Sequence, residues 1–142
     1  MRVLVIEDGD EYAQFARALF PAWQLFVAHS CAEALAVLAR EPIDAMFIDQ
    51  RFERTAQADL EGDLHATAQR LFGGDADAAR GYLRDQQGVL VLAALRRAGH
   101  AMRALFVHDF PARRLANLRA LYGDVRAVPT FDAQAIAQEL AR

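Results

Sequence analysis

Short runs of consecutive apolar residues, each followed by a helical pattern, constrain this chain more than any other feature. Val3 to Ile6 in R-V-L-V-I-E (2–7) is wholly apolar. Q-L-F-V-A (24–28), I-D-A-M-F-I-D (43–49), R-A-L-F-V-H (103–108) and V-R-A-V (125–128) repeat the theme. Strands that alternate apolar with polar residues leave one face of a sheet in water; strands of this kind are covered on both faces. Between them the apolar spacing changes to that of helices. Asp10 to Phe20 places Tyr12, Phe15, Ala16 and Leu19 on one face, and Pro21 closes the segment. Ser30, with Glu33 three residues on, reads as a capping box for a helix to about Arg40 that turns Ala34, Leu35 and Leu38 inward. G-V-L-V-L-A-A-L-R-R (88–97) predicts another helix, and one follows Pro111 through Leu115, Leu118 and Leu121. Asp132 is placed to cap a last helix bearing Ile136 and Leu140.

Strand–helix units in this order imply a parallel sheet sandwiched between helices. Five units in 142 residues predict a single domain, residues 1–142, of the α/β class. The expected architecture is a flavodoxin-like, doubly wound five-stranded parallel sheet of order 2-1-3-4-5. One stretch breaks the rhythm. From Gln50 to about Gln87 there are two polar helical patterns separated by Gly73-Gly74, one with Leu60, Leu64, Leu71 and Phe72, the other with Ala79, Tyr82 and Leu83. Compact domains rarely carry a structureless loop of that length. Residues of about 51–84 are therefore read as an insertion after the third strand, either a helical hairpin or a helix that extends the next one backward through Gly81.

Bulk properties exclude several function classes. The formal net charge is −3 with both signs scattered, which leaves no basic footprint for nucleic acid. No apolar run approaches the ~20 residues that cross a bilayer, and the chain enters its first strand with no leader pattern. Cys31 is the sole cysteine, which rules out an intrachain disulfide and fits a reducing cytoplasm. All 16 basic residues are arginine. A genomic base bias suffices to produce that, but it removes any mechanism that needs an ammonium group from a side chain.

In such sheets ligands bind beyond the carboxyl ends of the strands. That rule brings Glu7 and Asp8, Asp49, His108 and Asp109, and Val128 and Pro129 to one edge. The first strand already ends in four acids within five residues, Glu7, Asp8, Asp10 and Glu11, and Asp49 adds a carboxylate from the third. Carboxylates about 4 Å apart repel by ~4 kcal/mol at an effective dielectric of 20. They tolerate one another when a cation sits among them or when one is protonated.

These residues resemble the receiver domain of two-component response regulators. V-L-V-I-E-D (3–8) is similar to the acidic pair of that family, and D-A-M-F-I-D (44–49) to its phosphoacceptor strand. D-Q-Q-G-V-L-V-L-A-A-L-R (85–96) resembles the glycine-led third helix, and V-P-T-F (128–131) the end of the fifth strand. The resemblance implies Mg²⁺ held by Glu7, Asp8, Asp49 and the backbone carbonyl of Arg51, with Asp49 as the nucleophile toward a phosphohistidine donor. At the remaining positions the chain departs from the pattern. The lysine before the proline of the fifth strand is Val128, the Thr or Ser ending the fourth strand is His108, and the small residue after it is Asp109. The aromatic residue of the fifth strand is Val125. These departures argue against ordinary phosphorelay. His108 is expected to hydrogen-bond Asp49 or a backbone carbonyl, and, if protonated, to stand in for the lysine; Arg51 is the other candidate for the missing positive charge.

The expected function is therefore an atypical receiver-like signalling domain, not an enzyme, that acts through protein–protein contact. Its partner would be a histidine kinase, another regulator or a second copy in a homodimer. The alternative within the family is a Mg²⁺-dependent phosphoacceptor using Asp49. An alternative from the enzyme class is a haloacid-dehalogenase-like phosphatase, because V-I-E-D-G-D-E (5–11) also resembles the strand and Asp-x-Asp of that family. Asp8 would be the nucleophile there, Asp10 the general acid, and Ser30 the second motif. Within the insertion, Glu61, Asp63 and His65 suggest a metal site but read better as a wet helix face. Its Leu, Phe and Tyr residues are read as an interaction surface.

Overall fold

The computed structural model describes residues 1–141. Five strands form one parallel sheet: β1 Arg2–Ile6, β2 Gln24–Ala28, β3 Ala45–Ile48, β4 Arg103–Val107 and β5 Val125–Val128. Their order is β2-β1-β3-β4-β5, as the sequence predicts. Among the described residues seven α-helices surround it: α1 Glu11–Leu19, α2 Cys31–Arg40, α3 Leu64–Leu71, α4 Ala76–Asp85, α5 Gln87–Arg97, α6 Ala112–Tyr122 and α7 Ala133–Ala141. No described helix is long and apolar enough to cross a membrane.

The two-residue repeat of the strands divides the apolar side chains between two layers. Leu4 and Ile6, Met46 and Ile48, and Ala104 and Phe106 face one way, against Ala34 and Val37 of α2, Val91, Leu92 and Leu95 of α5, and Leu118 of α6. Val3 and Val5, Ala45 and Phe47, and Leu105 face the other, against Tyr12, Ala13 and Ala16 of α1 and Ile136 and Leu140 of α7. Most of these side chains have no exposed surface, so β1, β3 and β4 are buried on both faces. Ile6 pairs with Ile48, Ile48 with Phe106, and Val107 with Val128, which aligns the carboxyl ends of four strands at one edge.

The predicted caps at Ser30 and Asp132 form. Ser30 Oγ accepts the Glu33 N–H at 3.2 Å, and Asp132 Oδ1 accepts that of Ala135 at 3.1 Å. The return bond from Glu33 goes to the N–H of His29. Between β3 and α5 the structure combines both expected arrangements. Helices α3 and α4 make an antiparallel pair across Gly73-Gly74, both at positive φ, and α4 runs into α5 with only Gln86 between them. Leu60 and Leu83 join the core of the sheet layer, whereas Leu71 and Tyr82 remain exposed.

The junction of α4 and α5 grips the end of β3. The Gly88 N–H donates to Gln50 O at 3.0 Å, and the buried Gln50 side chain accepts the Val89 N–H at 3.0 Å. A Cβ on Gly88 would lie 2.4 Å from Asp49 O and 2.8 Å from Gln50 Cα. Both are backbone atoms that cannot swing away. Glycine is needed here for close approach, and the approach fixes where Asp49 stands. Gly88→Ala is accordingly expected to cost about 1–3 kcal/mol of stability through this overlap. Denaturant unfolding of the variant against the wild type measures it, and equal midpoints would mean that the grip is slack.

Candidate functional site

The carboxyl edge gathers the acids that the sequence places there but uses them differently. Glu7 has no exposed surface. Its Oε1 accepts the Tyr12 N–H at 3.0 Å and its Oε2 the Ala13 N–H at 2.9 Å. Those are free N–H groups of the first turn of α1, whose own N-cap residue, Asp10, makes no capping bond to them. Glu7 is therefore the anion at a helix N-terminus. Burial raises its pKa above the ordinary value, with the two N–H groups pulling the other way. The carboxylate is fully engaged away from the open depression at this edge, which is lined by Asp8, Asp49, Arg51, Glu53 and Arg54.

Asp8 stays in the depression, yet its side chain is only 3% exposed. The cover is Arg54. Its backbone N–H donates to Asp8 Oδ2 at 2.8 Å, its Nε lies 3.4 Å from the same oxygen, and its Nη2 lies 3.4 Å from Oδ1. Nη2 also reaches Glu11 Oε2 at 3.0 Å. One guanidinium thus answers two acids of the opening cluster, from opposite ends of one turn.

Asp49 follows β3 directly. Its Oδ1 accepts the Arg51 N–H at 3.3 Å. Burial, reinforced by the charges of Asp8 and Glu7, pushes the Asp49 carboxyl up to about 6. The Arg51 N–H and the Tyr12 hydroxyl oppose that rise. Tyr12 comes from α1, donates its hydroxyl to Val107 O at 3.2 Å, and packs on Phe47 and Phe131 with ring centroids 4.9 and 4.8 Å away. Burial and the Asp49 charge raise its phenol pKa, so it remains neutral.

On the β4–β5 side, Arg51 and Arg114 lie near His108, but among the described residues neither guanidinium bonds Asp49. His108 does not form the expected hydrogen bond to Asp49 or to a backbone carbonyl. Its ring instead packs edge-on against Phe110, with centroids 4.5 Å apart and planes at 63°. Burial, then the nearby Arg51 and Arg114, lowers its pKa, so the neutral ring is favoured and it supplies no substitute for an ammonium. Val128 is buried at 5% exposure, Val125 lies wholly within the core, and Asp109 is exposed.

Mg²⁺ held by Glu7, Asp8, Asp49 and the Arg51 carbonyl does not fit this arrangement. Glu7 is spent on α1, and Asp8 faces a guanidinium. Among the described residues no three His, Cys, Asp or Glu side chains are disposed to hold a metal ion. In the α3 region, Asp63 caps α3 by accepting the Ala66 N–H at 2.9 Å, and Glu61 lies 3.8 Å from Arg97, as befits a wet face. Sequence reasoning missed Arg54. The available signal was R-F-E-R (51–54), two arginines directly after an acid-rich strand end, but only the first was weighed.

The raised Asp49 pKa has a definite sign. Its charged form is the one disfavoured by folding, so the contribution of Asp49 is most favourable below the ordinary carboxylate value and is lost as pH rises through about 6. In metal-free buffer at neutral pH, Asp49→Asn is expected to stabilise the chain by about 1–2 kcal/mol, after allowing for partial solvent screening. The gain should fade as the buffer is acidified, which urea unfolding across pH would record. A constant difference at all pH values would refute the assignment.

No protein-family model and no curated protein matches the chain. Solved structures do. A two-component response regulator from Clostridium difficile superposes with a TM-score of 0.63 over 99% of this chain and 92% of its own, at 10% identity. The receiver domain of Francisella response regulator 1452 gives 0.61 over 99% and 93%, at 18% identity. The chemotaxis response regulator CheY4 of Vibrio cholerae gives 0.63 over 99% and 96%, at 14% identity. The chain thus has the fold of a response-regulator receiver domain.

Proposed function

We propose that this chain is a receiver-like signalling domain that works by docking to another protein and not by ordinary phosphoryl switching. One observation carries the proposal. On the β4–β5 side of Asp49, where a receiver presents an ammonium and a hydroxyl, this chain presents the buried Val128 and a His108 ring turned onto Phe110. A phosphoryl group transferred to Asp49 would bring about two negative charges next to Asp8, with neither an ammonium nor a hydroxyl from β4 or β5 to receive them. Electrostatic stabilisation of the transferring group is the main help that a protein gives such a reaction.

Docking suits what remains. The partner would be a histidine kinase, another regulator or a second copy of the chain, in keeping with the signalling proteins that share its fold. The exposed Leu71 and Tyr82 on the α3–α4 pair, which the sequence reads as an insertion, offer apolar surface for it. Asp8 does not suit the phosphatase reading, because its oxygens are held by Arg54, and Ser30 is spent on capping α2.

Incubation with acetyl phosphate or a phosphoramidate plus Mg²⁺, read by intact mass, tests the proposal. The wild type should gain no stable phosphoryl adduct. An adduct that disappears in Asp49→Ala would overturn the proposal and establish Asp49 as a working phosphoacceptor. The triple variant Arg54→Gln/His108→Thr/Val128→Lys should gain the adduct, since it frees Asp8 for the ion and returns the hydroxyl and ammonium to the β4–β5 side.

A further inference from the structure

The acidic turn after β1 needs a cation, and the chain carries its own. Arg54 is no wandering surface arginine, although its side chain is 57% exposed. Its shortest bond to Asp8 comes from the backbone N–H, so the whole segment must lie over the turn. That segment is pinned on both sides. Before it, Phe52 is 1% exposed and donates its N–H to Arg84 O at 2.9 Å. After it, Thr55 O accepts from Arg84 Nη2 at 3.4 Å, and Gln57 Oε1 accepts from Arg80 Nε at 3.0 Å. All three anchors are on α4.

The turn is also shaped for the guanidinium. A Cβ on Gly9 would stand 2.6 Å from Arg54 Nη1 and from Nη2, and 2.4 Å from Glu11 Oε2. Glycine at this position leaves the room in which the arginine fork lies across Asp8 and Glu11. A planar fork suits that task, since it serves two carboxylates at once where a compact ammonium serves one point.

We propose that Arg54 is a built-in counter-cation that takes the place of a divalent ion at Asp8, so that ion and guanidinium exclude each other. Because Arg54 is held between anchors on α4, the exclusion is tied to the α3–α4 pair. An ion that wins Asp8 displaces the Arg54 guanidinium and backbone N–H, which weakens the hold on the 52–57 segment, and a partner that pulls on that segment opens Asp8 to ions. The two effects are reciprocal by linkage. This inference is independent of the docking proposal, which concerns phosphoryl acceptance at Asp49 and is tested by mass.

Calorimetric titration of the full chain with MgCl₂ alone tests it. Arg54→Gln should bind Mg²⁺ roughly tenfold more tightly than the wild type, a gain typical of coupled sites. The gain should vanish in Asp8→Asn/Arg54→Gln. Hydrogen exchange should show faster opening of the 52–57 amides in Arg54→Gln than in the wild type. Gly9→Ala displaces the guanidinium without removing it and should strengthen Mg²⁺ binding in the same direction, which keeps the test valid if Arg54→Gln proves poorly folded. A wild type that binds Mg²⁺ as tightly as the folded Arg54→Gln, or an Arg54→Gln and a Gly9→Ala that both gain nothing, would overturn the inference.

Discussion

A carboxylate with no access to water stands at the end of β1, and much of this molecule's behaviour follows from how it is satisfied. An isolated buried charge is intolerable, so Glu7 takes the free N–H groups of Tyr12 and Ala13. That choice fixes the entry of α1 and places Tyr12 between Phe47 and the end of β4. It also removes one acid from the edge. Of the carboxylates brought together there, only Asp8 and Asp49 remain turned to the depression, and a different device answers each. Asp8 receives a guanidinium; Asp49 receives one backbone N–H, and burial raises its pKa. A site that looked from the sequence like a cage for one ion is three carboxylates with three separate solutions.

The position of Asp49 depends on the opposite side of the sheet edge. Gly88 lets the N-terminus of α5 press against the backbone of Asp49 and Gln50, and the Gln50 side chain completes the first turn of that helix. The helix that covers one layer of the sheet is thereby registered to the residue at the centre of the site. The α4 helix enters α5 at the same place and holds the segment carrying Arg54. Fold and site consequently share a hinge region between Gln50 and Val89, and a change in one of them is felt in the other.

The strand order, the layers and the convergence of Glu7, Asp8, Asp49, His108 and Val128 on one edge were legible in the sequence, for a physical reason. Apolar residues at successive positions can be buried only in a strand covered on both faces, and parallel pairing then puts the strand ends in a row. Periodicity carries that information. It carries none about the direction in which an end residue turns. Glu7 and Asp8 are neighbours of one charge, yet one points into α1 and the other into the depression, because each follows the partner that reaches it first. His108 shows the same gap: the ring chose the aromatic face of Phe110, two residues on, over a carboxylate in the next strand. Arg54 was beyond reach for another reason. Its role depends on α4 lying against the segment after β3, and the polar residues of 51–84 leave the place of that pair unspecified.

The absence of lysine gains meaning from these placements. Genomic bias accounts for it as composition, but the arginines that result are used as forks. Arg96 donates to the carbonyls of Tyr122, His100 and Met102 and ties α5 to the far ends of β4 and β5. Arg103 and Arg126 share Asp124 beneath α7. At the acidic edge the same chemistry moves the site's positive charge. The receiver pattern that the sequence resembles keeps it at the end of β5. Here that position is an apolar Val128, and the charge sits on the segment after β3, held by α4. The cation that answers Asp8 therefore belongs to the segment that α4 anchors, while Tyr12, beside Asp49, bonds the end of β4. One cation thus stands on a different element across the depression, while the sheet that positions the acids keeps the receiver strand order.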